Sequence, residues 1–266
     1  MTTASPSLAG KVALVTGGAR RVGRAIALRL ADAGMDVAIT YRHSADEAGA
    51  TIDAIRAAGR TAHAFHADLA RPDAADHVFA AFTEQFDRLD ALVNNASSFA
   101  PSPIGQLTAD DFERHMAVNA RAPLMLIQKF APMLAAHAQI DDAHEPPQRG
   151  PTRDAGRVVN FIDIHVMGEP LKSYAAYNAS KAALMEITMT AAMELAPKVT
   201  VNAVAPGVVA WAEAYTQQER RAYMRRVPLA RPGTPDDAAA AVLFLVRDAD
   251  YCTGQVIRLD GGRLLA

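Results

Sequence analysis

Tyr177 and Lys181 stand four residues apart in an Ala-rich helical stretch, a spacing that puts them one turn apart on the same face. A lysine ammonium beside a phenol favours the phenolate by Coulomb attraction. The pair therefore predicts a tyrosine of lowered pKa that can give or take a proton. A second cluster supplies a partner for that proton. Thr16-Gly17-Gly18-Ala19-Arg20-Arg21-Val22-Gly23 follows a β-branched run and opens a helix that continues through Ala25, Ile26, Leu28 and Leu30. Small residues in a strand-to-helix turn let backbone approach a pyrophosphate, and the helix N-terminus offers amide donors and the positive end of its dipole. Gly17, Arg20, Arg21, Val22 and Gly23 are the dinucleotide candidates, and the implied chemistry is proton transfer beside a hydride carrier.

The end of the second strand bears on which dinucleotide. An acidic residue there would accept hydrogen bonds from the ribose 2′-hydroxyl of NAD. The sequence instead reads Tyr41-Arg42-His43-Ser44, which, with Arg20 and Arg21, offers guanidinium groups and a hydroxyl to a 2′-phosphate. NADPH is the expected cofactor; the alternative is that Arg42 and His43 only solvate a strand end.

The elements that must position these groups are written in alternation. Seven β-branched runs (12–16, 36–41, 62–67, 91–94, 157–163, 200–205 and 255–260) alternate with Ala-rich stretches of helical period. Several runs are apolar nearly throughout, as parallel strands covered on both faces are. This predicts one α/β domain over residues 1–266, a doubly wound (Rossmann) sheet of seven mostly parallel strands. Gly34 and Gly59 mark helix ends, and Thr234-Pro235-Asp236-Asp237 a helix start. Residues 139–156, crowded with acidic residues and proline, read as a mobile loop, and 208–226 as a substrate lid. Trp211, Tyr215 and Tyr223 line that lid or are ordinary packing.

At 266 residues and 50% apolar, the chain can bury a sizeable core. A net charge of -2 leaves no positive field for nucleic acid or a membrane surface, so neither is an expected partner. The single cysteine, Cys252, excludes an internal disulfide and a cysteine zinc cluster, and no metal site is expected. Residues 1–10 lack the basic start and apolar stretch of a signal peptide, and the expected location is the cytoplasm.

Taken in order, the pieces resemble the short-chain dehydrogenase/reductase family from Lys11 to Gly262. They are the Thr16-Gly17 turn, Asp68-Leu69, Asn94-Asn95-Ala96, Asn119, Tyr177 with Lys181, Pro206-Gly207, and Thr253-Gly254-Gln255 to Asp260-Gly261-Gly262. The resemblance implies that Asp68 and Leu69 border the adenine and that Asn95 and Ala96 lie along the ribose side. It also implies that Lys181 holds the nicotinamide ribose, that Asn119 anchors a water in a proton relay, and that the protein is a homotetramer.

Two positions depart from the usual pattern: Arg21 replaces a glycine of the turn, and Asp163 stands where a catalytic serine is usual. Both are similar to pteridine reductases, as is Asn94-Asn95-Ala96-Ser97-Ser98-Phe99 followed by Pro101-Ser102-Pro103. In that subgroup reading Phe99 stacks a pterin against the nicotinamide, Arg21 and Ser97 meet its polar edge or the pyrophosphate, and Asp163 with Tyr177 delivers the proton. Tyr177 lies 14 residues after Asp163 where 13 is expected, so the loop from Ile164 to Ser173 must absorb one residue. Asp163 could instead cap the next turn. The expected function is NADPH-dependent reduction of a small-molecule pteridine. The alternatives are a ketone, 3-oxoacyl or quinone reductase of the same family, and a non-catalytic NADP-binding sensor.

Overall fold

The computed structural model describes residues 7–138, 154–211 and 215–266. Most of the 139–156 loop and part of the 208–226 lid fall outside the described residues. Seven strands form one sheet: β1 (Val12–Val15), β2 (Asp36–Tyr41), β3 (Ala62–His66), β4 (Ala91–Asn94), β5 (Gly156–Phe161), β6 (Val199–Pro206) and β7 (Val256–Leu259). Their order is β3-β2-β1-β4-β5-β6-β7 and every pairing is parallel. The chain winds outward from β1 to β3, then returns to lay β4 on the other side of β1. Ligands of such sheets gather outside the strand C-termini at that reversal.

Burial on both faces follows from the strand sequences. In β1, Ala13 and Val15 join one core with Ile26 and Leu30 of α1 (Arg21–Asp32), Ile52 and Ile55 of α2 (Ala45–Ala57), and Val242 and Leu245 of α8 (Pro235–Arg247). Val12 and Leu14 point the other way. They pack with Phe82 of α3 (Ala74–Thr83), Leu126 and Phe130 of α5 (Ala122–Ala135), and Ala191 of α6 (Ala175–Leu195). Each such Leu or Phe removed from water contributes about 1.5–3 kcal/mol, which is what clamps helices to both faces.

The local signals act as read. Gly34 and Gly59 close helices at φ of +107° and +76°, and Thr234 and Asp237 form a reciprocal capping box with Pro235 in the first turn of α8. One element was not legible. Between α4 (Ala109–Met116) and α5 lies a π-helical turn, Ala117–Arg121, closed by the Ala122 N–H donating to the Ala117 carbonyl. The remaining helix, α7 (Gln217–Met224), starts at a second capping box, Thr216 with Glu219. Among the described residues, no helix is long and apolar enough to cross a membrane.

Candidate active site

The turn after β1 is tied to the segment after β4 by three donors and three acceptors. Thr16 Oγ1 accepts the N–H groups of Asn95 and Ala96 at 3.0 Å each, and Asn95 Nδ2 donates back to the Thr16 and Gly17 carbonyls at 2.9 and 3.2 Å. This closeness forbids side chains: a Cβ at Gly23 would lie 2.1 Å from the Gly17 carbonyl oxygen, and one at Gly18 2.5 Å from Ile39. No side chain caps the N-terminus of α1, and no acidic residue occupies its first turn. Its amides and dipole are thereby left to an anion.

That helix end opens into a cleft of about 560 Å³ across the strand C-termini. Gly17, Arg20, Arg21, Val22 and Gly23 line it, as do Tyr41, Arg42, His43 and Ser44, Asp68 and Leu69, Asn95, Ala96 and Ser97, and Pro206 and Gly207. Phe99, Asp163, Tyr177 and Lys181 occupy the other half. Shape and donors fit a dinucleotide, with Arg42 beside the expected 2′-position. Its Nη1 lies 3.8 Å from Asp68 Oδ1, so its charge is partly shared. Asn119 is behind the wall rather than in it.

Helix α6 presents Tyr177, Ser180, Lys181, Leu184 and Thr188 on one buried face. The Tyr177 hydroxyl donates to Asp163 Oδ2 at 2.7 Å, while Asp163 Oδ1 accepts the His165 N–H at 2.9 Å. Asp163 lies just past the end of β5, not within the strand, and it caps the 3-10 turn Ile164–Val166 while holding the tyrosine. The extra residue of the loop does not part the pair. In the loop that follows, Ser173 adopts φ +67° and its carbonyl accepts the Ser102 N–H at 2.7 Å. Glu169 anchors the same loop, bonding Arg226 twice at 2.7 Å and Arg263 at 3.1 Å. Chiefly the Arg226 guanidinium holds its carboxyl at about 2.

The electrostatics correct the expectation for the tyrosine. Lys181 does not lower its pKa: burial first, then the Asp163 carboxylate, push the phenol well above 10. Lys181 Nζ is turned to the Phe161 carbonyl at 2.6 Å and lies 5.9 Å from the centre of the Tyr177 ring. Complete burial brings its ammonium down to about 8. In this state Tyr177 is a protonated donor.

Three further side chains differ from expectation in detail. The Asn119 side chain is bonded to protein on both ends: Oδ1 accepts from Ser98 N at 2.7 Å and Ser97 Oγ at 3.2 Å, and Nδ2 donates to the Ser98 carbonyl and Ser180 Oγ at 2.9 Å each. It fixes the 97–98 loop. Phe99 stacks on Tyr174 at 4.6 Å, lies perpendicular to the Tyr177 ring at 4.8 Å, and stays partly exposed where it lines the cleft. Arg21 reaches across the cleft, where its Nη2 donates to the Ala210 and Trp211 carbonyls at 3.0 Å each.

Trp211, Tyr215 and Tyr223 do both things expected of them: they line the cleft, and Trp211 packs on each of the other two at 5.6 Å. Sequence reasoning missed Arg114, Leu171 and His165 as lining residues. Arg114 is four residues before Val118, also in the wall, and that helical spacing was the available signal.

A parallel sheet with a phosphate loop at its reversal and a Tyr–Lys pair on the helix after β5 defines a dinucleotide-binding oxidoreductase. The short chain dehydrogenase family profile matches residues 11–222, and the chain belongs to that family of NAD(P)(H)-using oxidoreductases. It is 36% identical over 258 residues to an uncharacterized oxidoreductase of Mycobacterium tuberculosis, covering 95% of this chain and 91% of that one. A 3-oxoacyl-(acyl-carrier-protein) reductase of Staphylococcus epidermidis is 35% identical over 257 residues, with 95% and 98% covered. Among solved structures, acetoin dehydrogenase from Enterobacter cloacae superimposes with a TM-score of 0.81 at 32% identity over 96% of both chains. A putative short-chain alcohol dehydrogenase from Sinorhizobium meliloti does so with 0.86 at 28% over 98% of both.

Proposed function

We propose that this protein is an NADPH-dependent reductase whose substrate is a flat, N–H-bearing heterocycle of the pterin kind. The observation that carries this reading is the 2.7 Å hydrogen bond from the Tyr177 hydroxyl to Asp163 Oδ2. A carboxylate only accepts hydrogen bonds. At the position where the family's usual serine can donate to a carbonyl oxygen, Asp163 offers an acceptor for a ring N–H. The partly exposed Phe99 ring in the cleft wall suits a planar ligand. When bound, the nicotinamide supplies a hydride to a C=N carbon. Tyr177 supplies the proton to the nitrogen, and Asp163, its Oδ1 fixed by the His165 N–H, holds the phenol and orients the ring. Lys181 and the amides at the start of α1 hold the cofactor. Arg42, with Arg20 and Ser44 also lining the cleft, favours the 2′-phosphate.

The names of the relatives favour a second reading, reduction of a ketone or 3-oxoacyl carbonyl with the same Tyr177 and Lys181. One plate of NADPH oxidation assays decides, with dihydrobiopterin, dihydrofolate, an acetoacetyl thioester and a quinone as acceptors. Turnover with the pterins that is lost in Asp163→Ser supports the first reading. Turnover with the carbonyl compounds alone, unchanged or improved in Asp163→Ser, establishes the second.

A further inference from the structure

Arg21 occupies a costly place. It is the first residue of α1, at φ +51°, in the left-handed region that a non-glycine residue keeps only where its surroundings demand it. Its side chain crosses to a segment 190 residues away. Among the described residues, Arg21 is the only group that donates a hydrogen bond to the Ala210 and Trp211 carbonyls. Both N–H bonds of Nη2 are used there. The Nε–H and both N–H bonds of Nη1 have no partner among the described residues, and Arg21 lines the cleft beside Gly17 and Gly23 at the open end of α1. Trp211, at the far end of the contact, packs against Tyr215 and Tyr223 in the substrate half.

We propose that Arg21 is a positioning residue that couples occupation of the phosphate loop to the seating of Ala210 and Trp211 over the substrate. A guanidinium is a rigid plane, so an anion that engages its free edge fixes the edge that holds the two carbonyls. The pyrophosphate of a dinucleotide is the anion the loop fits, and the inference rests on that reading of the cleft. Coupling of this kind is reciprocal: cofactor favours substrate binding, and substrate favours cofactor binding, by the same factor.

Trp211 is the only tryptophan of the chain, so its emission reports this segment alone. The full chain is titrated with NADP+, with binding followed by calorimetry and Trp211 exposure by acrylamide quenching. In the wild type, saturation with NADP+ should shield Trp211. Arg21→Gly should fold, because glycine takes φ +51° without strain, and a thermal melt checks this. It should bind NADP+ yet keep the ligand-free quenching at saturation. Its substrate KM should rise roughly 5-fold or more at saturating cofactor, with kcat changed less. Arg21→Lys, which keeps the charge and one donor direction, should restore part of the shielding. Wild-type protein that binds NADP+ with no change at Trp211, or Arg21→Gly protein that shields Trp211 fully, overturns the coupling alone. Calorimetry that detects neither NADP+ nor NAD+ bound to the wild type overturns the dinucleotide reading and the coupling with it.

Discussion

Burial is the largest influence on the Tyr177 phenol, and the Asp163 carboxylate is the next. Reduction needs the protonated phenol, so the shift keeps the donor loaded across the working range, and oxidation is correspondingly disfavoured. Tyr177→Phe should cut reduction by about 10²- to 10⁴-fold while NADP+ binding survives, as rate and calorimetry together would show. Asp163→Asn removes a negative charge that raises the phenol pKa. The acidic limb of the oxidative pH profile should therefore move to lower pH, and an unmoved limb would separate Asp163 from the proton. Lys181 gives a second titration. Its ammonium falls to about 8 from the ordinary 10.5, so the charge that meets the ribose is lost first as pH rises. The reductive kcat/KM should decline through about pH 8, well before Tyr177 deprotonates; a profile flat into the phenol range would refute that order. The same depressed pKa means that the unfolded chain holds the extra proton between about 8 and 10.5. The Lys181 contribution to stability therefore rises with pH across that window.

The π-helical turn between α4 and α5 does what a regular helix could not: one extra residue in the turn brings Asn119 inward against Ser97, Ser98 and Ser180. Asn119→Ala would leave the Ser98 N–H without a partner and its carbonyl with only the 3.4 Å bond from Ser97 Oγ, and should cost about 1–3 kcal/mol of stability, read in a denaturant melt. The larger loss should be in substrate KM, because the loop carrying Phe99 would loosen. The strands were legible because a run such as Val-Ala-Leu-Val, buried on both faces, has no other economical fate. The π turn was not legible, since Ala117 to Arg121 reads as ordinary helix and its departure is set by packing against α6. Nor could local pattern show that Lys181 would turn to the Phe161 carbonyl, because that acceptor belongs to a strand 20 residues earlier.

Over the whole molecule, the reversal between β1 and β4 collects turns from all parts of the chain into one cleft. This is why motifs that are individually weak could be read together. Their distribution between the two halves sets cofactor choice apart from chemistry. Arg42→Asp would place two carboxylates, with Asp68, where the 2′-phosphate is expected, and should shift the preference from NADPH towards NADH by about tenfold or more in kcat/KM. Paired kinetics with the two cofactors would show it, and an unchanged ratio would remove Arg42 from that role. What stayed hidden at this scale is contact between distant turns, of which the bond from Arg21 to the Ala210 carbonyl is the plainest case.

The backbone at Arg21 has a consequence for how such a contact could arise. The turn is already bent into a conformation that glycine adopts freely, so glycine and arginine there require no different fold. Their codons can differ by a single base. A lineage carrying the usual glycine could thus acquire the arginine, or discard it, in one step and without an unfolded intermediate, which makes this position an accessible point for drift between relatives of unlike specificity.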